Sequence, residues 1–322
     1  VYMAIRRPHK PPTAGTEVFK PIADTATGAV RSITGAGFAP DLFFNVPRSN
    51  ANLGTYVFDR IRGPGKSLRT LYSSAEASQT NTVTSFDMDG ITVGTDSGGF
   101  GINSYTYTSA KYLFRRASGF MDVVNFVGNG SAQNITHNLS AAPELIFVKS
   151  RTWIGGGNNN WKVYAEDIGN TDYLYLNSNA ANLPNSNIWN DTSPTSTQFT
   201  VGTDSSASGV AFISYLFASR SGISKVGTYS GTGSDVNVDC GFTNGARLIL
   251  LKRTNSTGDW YVFDSARGIV SGNDPYTLLN TAAAEVTNTD YIDPLASGFT
   301  VTSSAPDALN VSGGTYLFLA IA

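Results

Sequence analysis

Apolar residues along the chain recur in short runs that have the period of β-strands. In the middle of the chain, the runs DVVNFVG, ELIFVKS and QFTVGTD are rich in β-branched and aromatic residues and are separated by Gly, Asn, Pro or Asp. Seven or eight such runs in about 100 residues is the strand spacing of a β-sandwich. The pattern therefore predicts an all-β protein made of β-sandwich domains.

Two kinds of strand can be distinguished by their patterns. Residues 144–150 (ELIFVKS) and 248–253 (LILLKR) are almost continuously apolar, which predicts central strands in their sheets. Residues 161–167 (WKVYAED) and 173–178 (YLYLNS) alternate between apolar and polar, so we expect one face of each of these strands to contact water.

The chain contains three copies of one unit, because a landmark segment recurs at a constant spacing. The segment reads APDLFFNVPRS in the first copy, APELIFVKSR in the second and GARLILLKRT in the third. Pro40 and Pro143 occupy the same place in it and are 103 residues apart, and Ala246 lies 103 residues further on.

Two further landmarks follow in the same order in each copy. The segments GITVGTD, QFTVGTD and GFTVTSS contain Thr92, Thr200 and Thr300. Each copy then closes on an aromatic strand, KYLFRRA, SYLFASR or TYLFLAIA, in which we interpret the matching residues as Tyr112, Tyr215 and Tyr316. Three landmarks in one order indicate a true internal repeat.

These landmarks predict a tandem array of three β-sandwich repeats at residues 16–118, 119–222 and 223–322. The opening VYMAIRR repeats the closing pattern, so we interpret residues 1–15 as the last strand and linker of a preceding unit. The hinges between the repeats are short, which favours closely abutted domains.

Composition and charge exclude several functions. The chain has 22 Lys and Arg against 24 Asp and Glu, a net charge of −2, so it lacks the basic field that nucleic-acid binding needs. Its one cysteine, Cys240, cannot form a disulfide within the chain, and we expect a buried thiol there. His9 and His137 are 128 residues apart and are expected at the surface or at a strand edge. No apolar run of about 20 residues is present, so membrane insertion is not expected.

The most specific internal motif is FDRIRG, which places Asp59 three residues before Arg62. FDSARG repeats this spacing with Asp264 and Arg267. Either the arginine clamps an anion, or each pair is an ion pair that holds the turn after a strand. We favour the ion pair, because the middle unit replaces the motif by YAEDIG and keeps the other landmarks.

Close carboxylate pairs are the other candidates for chemistry, since a glycosidase needs only two carboxyl groups. The pairs are Asp87 with Asp89, Asp290 with Asp293, and Glu166 with Asp167. The first pair, with Asp96 downstream, resembles a loose set of calcium ligands but lacks the terminal Glu of a calcium loop. Solvated turns are therefore favoured, and no catalytic residue, cofactor site or metal site is predicted.

Aromatic residues of the middle unit are the best candidates for binding. Trp161 and Trp260 each open a strand after a turn and are interpreted as structural. Trp153 and Trp189 fit no repeat landmark and accompany the polar loop GGGNNN at residues 155–160. Exposed aromatic faces beside amide side chains stack on sugars and hydrogen-bond to them. The candidate glycan-binding residues are Trp153, Trp189, Asn158 and Asn159.

The landmarks also carry a family resemblance. VGTYSGTG, RLILLKRT, DWYVFDSARG, YTLLN, SGFTV and TYLFLAIA in the last unit, with YLYLNSNAA in the middle one, resemble the repeated β-domains of structural and tail-fibre proteins of tailed bacteriophages, especially phages of marine bacteria and cyanobacteria. The resemblance covers nearly the whole chain. It implies a virion component with a lectin-like or jelly-roll-like fold, and it supplies no catalytic residues.

We therefore expect a non-enzymatic virion protein, a tail fibre or similar appendage involved in attachment to the host surface. The alternatives are a capsid or tail decoration protein, which stabilises the particle, and a polysaccharide depolymerase. The expected partners are other virion proteins, further copies of this chain in a homo-oligomer, with a trimer favoured, and a host-surface glycan or receptor. The expected location is the virion, an extracellular particle.

Overall fold

Nearly all of the chain folds into antiparallel β-sheets. The computed structural model describes residues 10–49, 52–104, 106–154 and 159–322. Strands account for 41% of it and helices for 6%, which confirms the prediction of an all-β fold with several units. The segment VYMAIRR, expected to be a strand of a preceding unit, lies outside the described residues.

The first unit consists of a large sheet and a small sheet. A 3₁₀ turn at Gly15–Glu17 precedes its first strand. Its strands are β1 (Phe19–Thr25), β2 (Arg31–Thr34), β3 (Leu42–Pro47), β4 (Tyr56–Asp59), β5 (Lys66–Arg69), β6 (Ala77–Ser78), β7 (Val83–Asp87), β8 (Gly90–Val93) and β9 (Thr108–Phe114). The large sheet has the order β1-β9-β3-β4-β5-β6, and the small sheet has the order β2-β8-β7.

The second unit repeats this arrangement. Its strands are β10 (Met121–Val127), β11 (Gln133–Thr136), β12 (Leu145–Ser150), β13 (Lys162–Ala165), β14 (Asp172–Tyr175), β15 (Leu183–Pro184), β16 (Gln198–Val201) and β17 (Ala211–Phe217). The sheets have the orders β10-β17-β12-β13-β14-β15 and β11-β16. The helical elements are the helix α1 (Ser186–Trp189) and the 3₁₀ turns Glu166–Ile168 and Thr203–Ser205.

The third unit has the same order of strands. They are β18 (Ser224–Ser230), β19 (Val236–Asp239), β20 (Leu248–Arg253), β21 (Trp260–Asp264), β22 (Thr277–Leu278), β23 (Ile292–Leu295), β24 (Gly298–Val301) and β25 (Thr315–Ile321), with the helix α2 at Asp307–Asn310. The sheets have the orders β18-β25-β20-β21-β22 and β19-β24-β23. In every unit the last strand therefore lies between the first strand and the landmark strand.

The landmark strands β3, β12 and β20 are buried on both faces, as predicted for residues 144–150 and 248–253. On β12, Ile146 and Val148 point into the sandwich of their own unit, towards the small sheet. Leu145 and Phe147 point the other way, into a core that all three units share. Two buried faces explain the almost continuous apolar pattern, because side chains alternate between the faces of a strand.

The shared core corrects the expectation for residues 161–167 and 173–178. All four residues of β13 are buried, and so are the two central residues of β14. Val163 and Leu174 contribute to the shared core. The face that we expected to contact water is instead buried within its own unit, where Tyr164 joins the interior core and Lys162 Nζ donates to Asp204 O. The apolar face packs against the neighbouring units, which is a packing partner that a single repeat cannot reveal.

The three units form a closed ring around the shared core. One equivalent backbone hydrogen bond joins each pair of neighbours: Glu76 N to Arg151 O, Asn182 N to Thr254 O, and Glu285 N to Arg48 O. The first bond runs from unit 1 to unit 2, the second from unit 2 to unit 3, and the third from unit 3 back to unit 1. The array predicted from the sequence is therefore cyclic, with approximate threefold symmetry.

The entry of the chain into unit 1 meets the end of unit 3. The carbonyl oxygen of Ala322 lies so close to Gly15 that a Cβ built on this glycine would be 1.9 Å from it. Arg247 of unit 3 also donates to Phe19 O (3.0 Å), in the first strand of unit 1. Glycine is therefore required at position 15 by the close approach of backbone that closes the ring.

The strand register corrects one of the sequence landmarks. Tyr112 pairs with Phe44 on β3, and Tyr215 pairs with Phe147 on β12. In unit 3 the residue at this register position is Leu319, whereas Tyr316 lies three residues earlier on β25. A shift by an odd number turns the side chain to the other face of the sheet, so Tyr316 points into the interior of unit 3.

Candidate functional site

The FDRIRG motif forms an ion pair at the junction between units 1 and 2. Arg62 pairs with Asp59 through Nε, and both side chains have no exposed surface. Across the junction, the Tyr215 hydroxyl donates to Asp59 Oδ2 (2.8 Å) and accepts from Arg62 Nη2 (3.2 Å). The predicted ion pair is confirmed, and it does more than hold its own turn, because it binds a tyrosine of the next unit.

The pKa values of the ionisable groups at this junction are shifted because the groups are buried away from water and close to one another. Burial opposes the charge of Arg62, but the facing Tyr215 and the Asp59 carboxylate outweigh it and raise the pKa of Arg62. Burial raises the pKa of the Tyr215 hydroxyl well above its usual value, although Arg62 opposes that effect. The cluster therefore contains a cation, a carboxylate and a neutral phenol. Arg62 is fully buried and cannot clamp an anion from solution.

The junction between units 3 and 1 contains the same cluster. Arg267 pairs with Asp264, and the Tyr112 hydroxyl donates to Asp264 Oδ2 (2.8 Å) and accepts from Arg267 Nη2 (3.1 Å). Arg267 also reaches Glu285 (3.2 Å), as Arg62 reaches Glu76 (3.3 Å) in the first junction. The two copies agree residue by residue.

The junction between units 2 and 3 replaces the whole cluster by apolar residues. Ala165 stands in place of the aspartate, Ile168 in place of the arginine and Leu319 in place of the tyrosine. Ala165 and Leu319 belong to the shared core, and Ile168 packs against it. All three positions change together, which identifies them as one interacting group.

The tryptophan candidates separate into one exposed and three buried side chains. Trp153 is 64% exposed, and Trp189 is 1% exposed. The expected exposure of Trp189 is wrong, because α1 turns its ring inward, where Nε1 donates to Asp172 O (3.2 Å) and the ring packs edge-to-face on Tyr164. Trp153 retains the exposure that sugar stacking requires.

The two asparagine candidates lie beside Trp153 in the sequence. Asn158 is outside the described residues. Asn159 is buried: its Oδ1 accepts from Ile154 N (2.8 Å), and its backbone oxygen accepts from Lys149 Nζ (2.7 Å). Asn159 therefore holds the loop rather than facing solvent, which contradicts a direct contact with a glycan by this side chain.

Trp161 and Trp260 are structural, as expected, and they also join units. Trp161 Nε1 donates to Arg69 O of unit 1 (2.9 Å), and Trp260 Nε1 donates to Tyr175 O of unit 2 (2.9 Å). Unit 1 has Thr55 at the equivalent position. Each indole thus fills the shared core and pairs a backbone carbonyl of the preceding unit.

The carboxylates of the loose calcium motif each serve a separate turn. Asp89 accepts from Gly35 N and Gly37 N, whereas the buried Asp96 accepts from Ile102 N and Asn103 N. Within the part of the chain that the structure describes, no group of three or more His, Cys, Asp or Glu residues is placed to hold a metal ion.

Cys240 and His137 are both buried. For Cys240 this was expected, and burial raises the pKa of its thiol to about 12. For His137, burial corrects the surface alternative of the expectation, whereas its position directly after the edge strand β11 agrees with the strand-edge alternative. Its ring bonds to Thr195 O (3.2 Å), and burial lowers its pKa. His9 lies outside the described residues. Between residues 10 and 322, the described segments include no helix long and apolar enough to cross a membrane.

A cleft of about 440 Å³ opens where unit 2 meets unit 3. Unit 2 contributes Glu144, Glu166 and Asp167 to its walls, and unit 3 contributes the edge strands β18 and β19. Glu144 binds the backbone N–H of Ser219 (2.8 Å). The cleft brings together carboxylates that are 22 residues apart in the sequence, which the search for adjacent pairs could not find.

The fold and its junctions define an all-β protein in which three fused units surround one core. The family described as Domain of unknown function (DUF7483) matches residues 14–322, and the chain belongs to this family. The match spans all three units. The chain matches no protein in a comparison with curated sequences.

Proposed function

We propose that the protein is a non-enzymatic structural protein of a phage virion, a tail fibre or similar appendage that attaches to a glycan or receptor on the host surface. The observation that carries the proposal is the exposed indole of Trp153, which precedes the polar segment 155–160 in the sequence. An exposed aromatic face on a rigid scaffold is suited to stacking on a sugar ring. The resemblance to phage β-domains supplies the virion context.

The rigidity of the ring supports this proposal. The most specific sequence motif forms the buried ion pairs that hold neighbouring units together, Asp59 with Arg62 and Asp264 with Arg267. A shared core and buried junctions hold the three units in fixed relative positions. Fixed positions of the units lower the entropy cost of binding, because the units need no further ordering relative to one another.

A pair of tryptophan variants tests the attachment role. Trp153→Ala should weaken binding to an array of bacterial surface polysaccharides, since a stacked aromatic contributes about 1 kcal/mol or more. Its unfolding midpoint should stay close to that of the parent protein, because exposed side chains contribute little to stability. Trp189→Ala is the matched control and should lower the free energy of unfolding by about 3–5 kcal/mol.

Two results would contradict the proposal. Binding by Trp153→Ala equal to that of the parent protein would remove Trp153 from the site. The absence of any polysaccharide binding by the parent protein, with no label on appendages when virions are imaged with an antibody against this chain, would remove the attachment role. Label on the capsid or along the tail would favour the decoration protein instead.

The depolymerase alternative has its own observation, which is the cleft with Glu144, Glu166 and Asp167. Two carboxylates about 5–10 Å apart are what glycoside hydrolysis requires. Release of reducing ends from a bacterial polysaccharide, lost in Glu166→Gln and kept in Trp153→Ala, would favour that alternative over attachment alone.

Self-association is part of the proposal, because each large sheet ends in edge strands, which proteins tend to cover. The strands β1, β10 and β18 are such edges. A homo-oligomer, with a trimer favoured, should appear in sedimentation at micromolar concentration, and a monomer under those conditions would contradict it.

A further inference from the structure

Three polar side chains meet inside the sandwich of unit 1. Lys111 on β9 is directly opposite Asn45 on β3, and Asp24 lies on β1, the other neighbour of β9. Lys111 Nζ is 2.6 Å from Asn45 Oδ1 and 3.3 Å from Asp24 Oδ2. Lys111 and Asn45 have no exposed surface. An amine and a carboxamide are thus held in contact away from water. The carboxylate beside them is 9% exposed and also pairs with Arg31 (2.5 Å).

The fold does not require these residues. The positions of Asp24, Lys111 and Asn45 are occupied in unit 2 by Phe126, Ser214 and Val148, in that order. In unit 3 they are occupied by Tyr229, Phe318 and Leu251. In both units two aromatic rings pack together in this region. Burial of a lysine and a carboxylate costs free energy that such an aromatic cluster avoids.

The surroundings of Lys111 hold its amine in place. Nζ also donates to Ile102 O (2.8 Å) and Ser109 Oγ (2.9 Å). The other end of the Asn45 side chain is fixed as well, since Nδ2 donates to Gly101 O (3.1 Å). Both reacting groups are therefore restrained on rigid strands, which favours reaction between them.

We propose that Lys111 and Asn45 form an intramolecular isopeptide bond, a covalent modification that joins β9 to β3. Lys111 Nζ attacks Asn45 Cγ, the new Nζ–Cγ bond forms, and the Cγ–Nδ2 bond breaks. The leaving group is ammonia. The overall change is an ammonium group and a carboxamide giving a secondary amide and one ammonium ion, so no oxidant, reductant or other co-reactant is consumed.

Asp24 moves the protons in this reaction. Its carboxylate accepts one proton from the ammonium group of Lys111, which frees the lone pair for attack, and later returns it to the departing nitrogen. The second proton that the attacking nitrogen loses also goes to the departing nitrogen, which is therefore released as ammonium. The charged groups that face Lys111 are Asp24, Arg31 and Asp96. Burial lowers the pKa of Lys111 to about 8, although Asp24 opposes this effect. Neutral amine is therefore accessible close to neutral pH.

The mass of the intact protein tests the proposal. Purified, folded protein that is then denatured should be lighter than its sequence by the mass of one ammonia molecule. Trypsin should fail to cut after Lys111, and the digest should contain a branched peptide that joins the segments around residues 45 and 111. Full sequence mass, together with separate linear peptides for the two segments, would overturn the proposal.

Variants separate the roles of the three residues. Asp24→Asn keeps the shape of the carboxylate and should restore the full sequence mass, because the proton acceptor is lost. Lys149→Met is the matched control: this lysine is also buried, but it donates only to backbone oxygens. It should retain the loss of ammonia. A deficit that persists in Asp24→Asn would overturn the role of Asp24, and one that disappears in Lys149→Met would overturn the assignment to Lys111.

Discussion

Two of the three junctions in the ring are polar and buried, whereas the third is apolar. Arg62 with Asp59 and Tyr215 represents the polar kind, and Ile168 with Ala165 and Leu319 the apolar kind. Both kinds join the same strands in the same register. The comparison shows that the three equivalent residues of a junction can be polar or apolar, provided that all three are of the same kind. A buried charge is tolerable only with all of its partners.

The largest effect is expected when one partner of a polar junction is removed. Arg62→Ala leaves the carboxylate of Asp59 buried without its cation, which should lower the free energy of unfolding by about 3–5 kcal/mol. Denaturant titration measures this change. Ile168→Ala at the apolar junction is the control and should cost less, since it leaves no charge unpaired. Equal losses at the two junctions would contradict the comparison.

Replacement of all three residues of a polar junction should leave the free energy of unfolding unchanged or raise it, in contrast to the loss expected for Arg62→Ala. The triple variant Asp59→Ala, Arg62→Ile, Tyr215→Leu copies the apolar junction, and Glu76 keeps its pairing with Arg151 (2.9 Å). Replacement of a buried ion-pair group by packed apolar residues is neutral or stabilising by about 1–4 kcal/mol. A triple variant less stable than Arg62→Ala alone would show that the junction has specific polar requirements.

Alkaline pH should distinguish the two kinds of junction next. Burial holds the pKa of Tyr112 and Tyr215 well above its usual value, so both remain neutral in the folded chain when they ionise in the unfolded one. Their contribution is present below about pH 10 and is lost above it, at about 1.4 kcal/mol per pH unit and tyrosine. In denaturant titrations at several pH values between 8 and 11, the free energy of unfolding should therefore fall more steeply with pH for the parent protein than for the triple variant. Parallel curves would contradict this.

The smallest effect is expected at the rim of the polar junctions. Arg151 pairs with Glu76 at a partly exposed site, and Glu76 also has Arg62 as a partner. Arg151→Ala should lower stability by less than about 1 kcal/mol, and the loss should shrink further at high salt. Arg48→Ala, at the equivalent pair with Glu285, should behave alike. A loss as large as that of Arg62→Ala would place the rim among the essential contacts.

The sequence was sufficient for the strands and for the repeat, because both are local signals. Alternation and apolar runs predicted the all-β fold, and the landmark strand was correctly expected to be central. The ring was beyond this reasoning, because the second buried face of β13 depends on contacts with other units. The sequence contained one clue, since Asp59, Arg62 and a tyrosine 153 residues after Arg62 are replaced as a set.

Similarity in sequence also led to one wrong alignment, that of the closing strand of unit 3 with those of units 1 and 2. KYLF, SYLF and TYLF look equivalent, yet the pairing of Tyr316 with Arg253 shows that the third string is displaced by three residues. Face alternation decides such cases: Leu319, not Tyr316, points into the shared core. Trp189 was misjudged for a related reason, because the short helix that buries its ring has no counterpart in the landmark pattern.

The contact between Ala322 and Gly15 determines how many copies of the unit this architecture can hold. In an open solenoid every added repeat finds a free face, so gene duplication changes the length of the protein. Here the place beside unit 3 is already taken by unit 1. A duplicated unit would compete for one of three positions instead of extending the body. The number of units within one ring is therefore set by geometry.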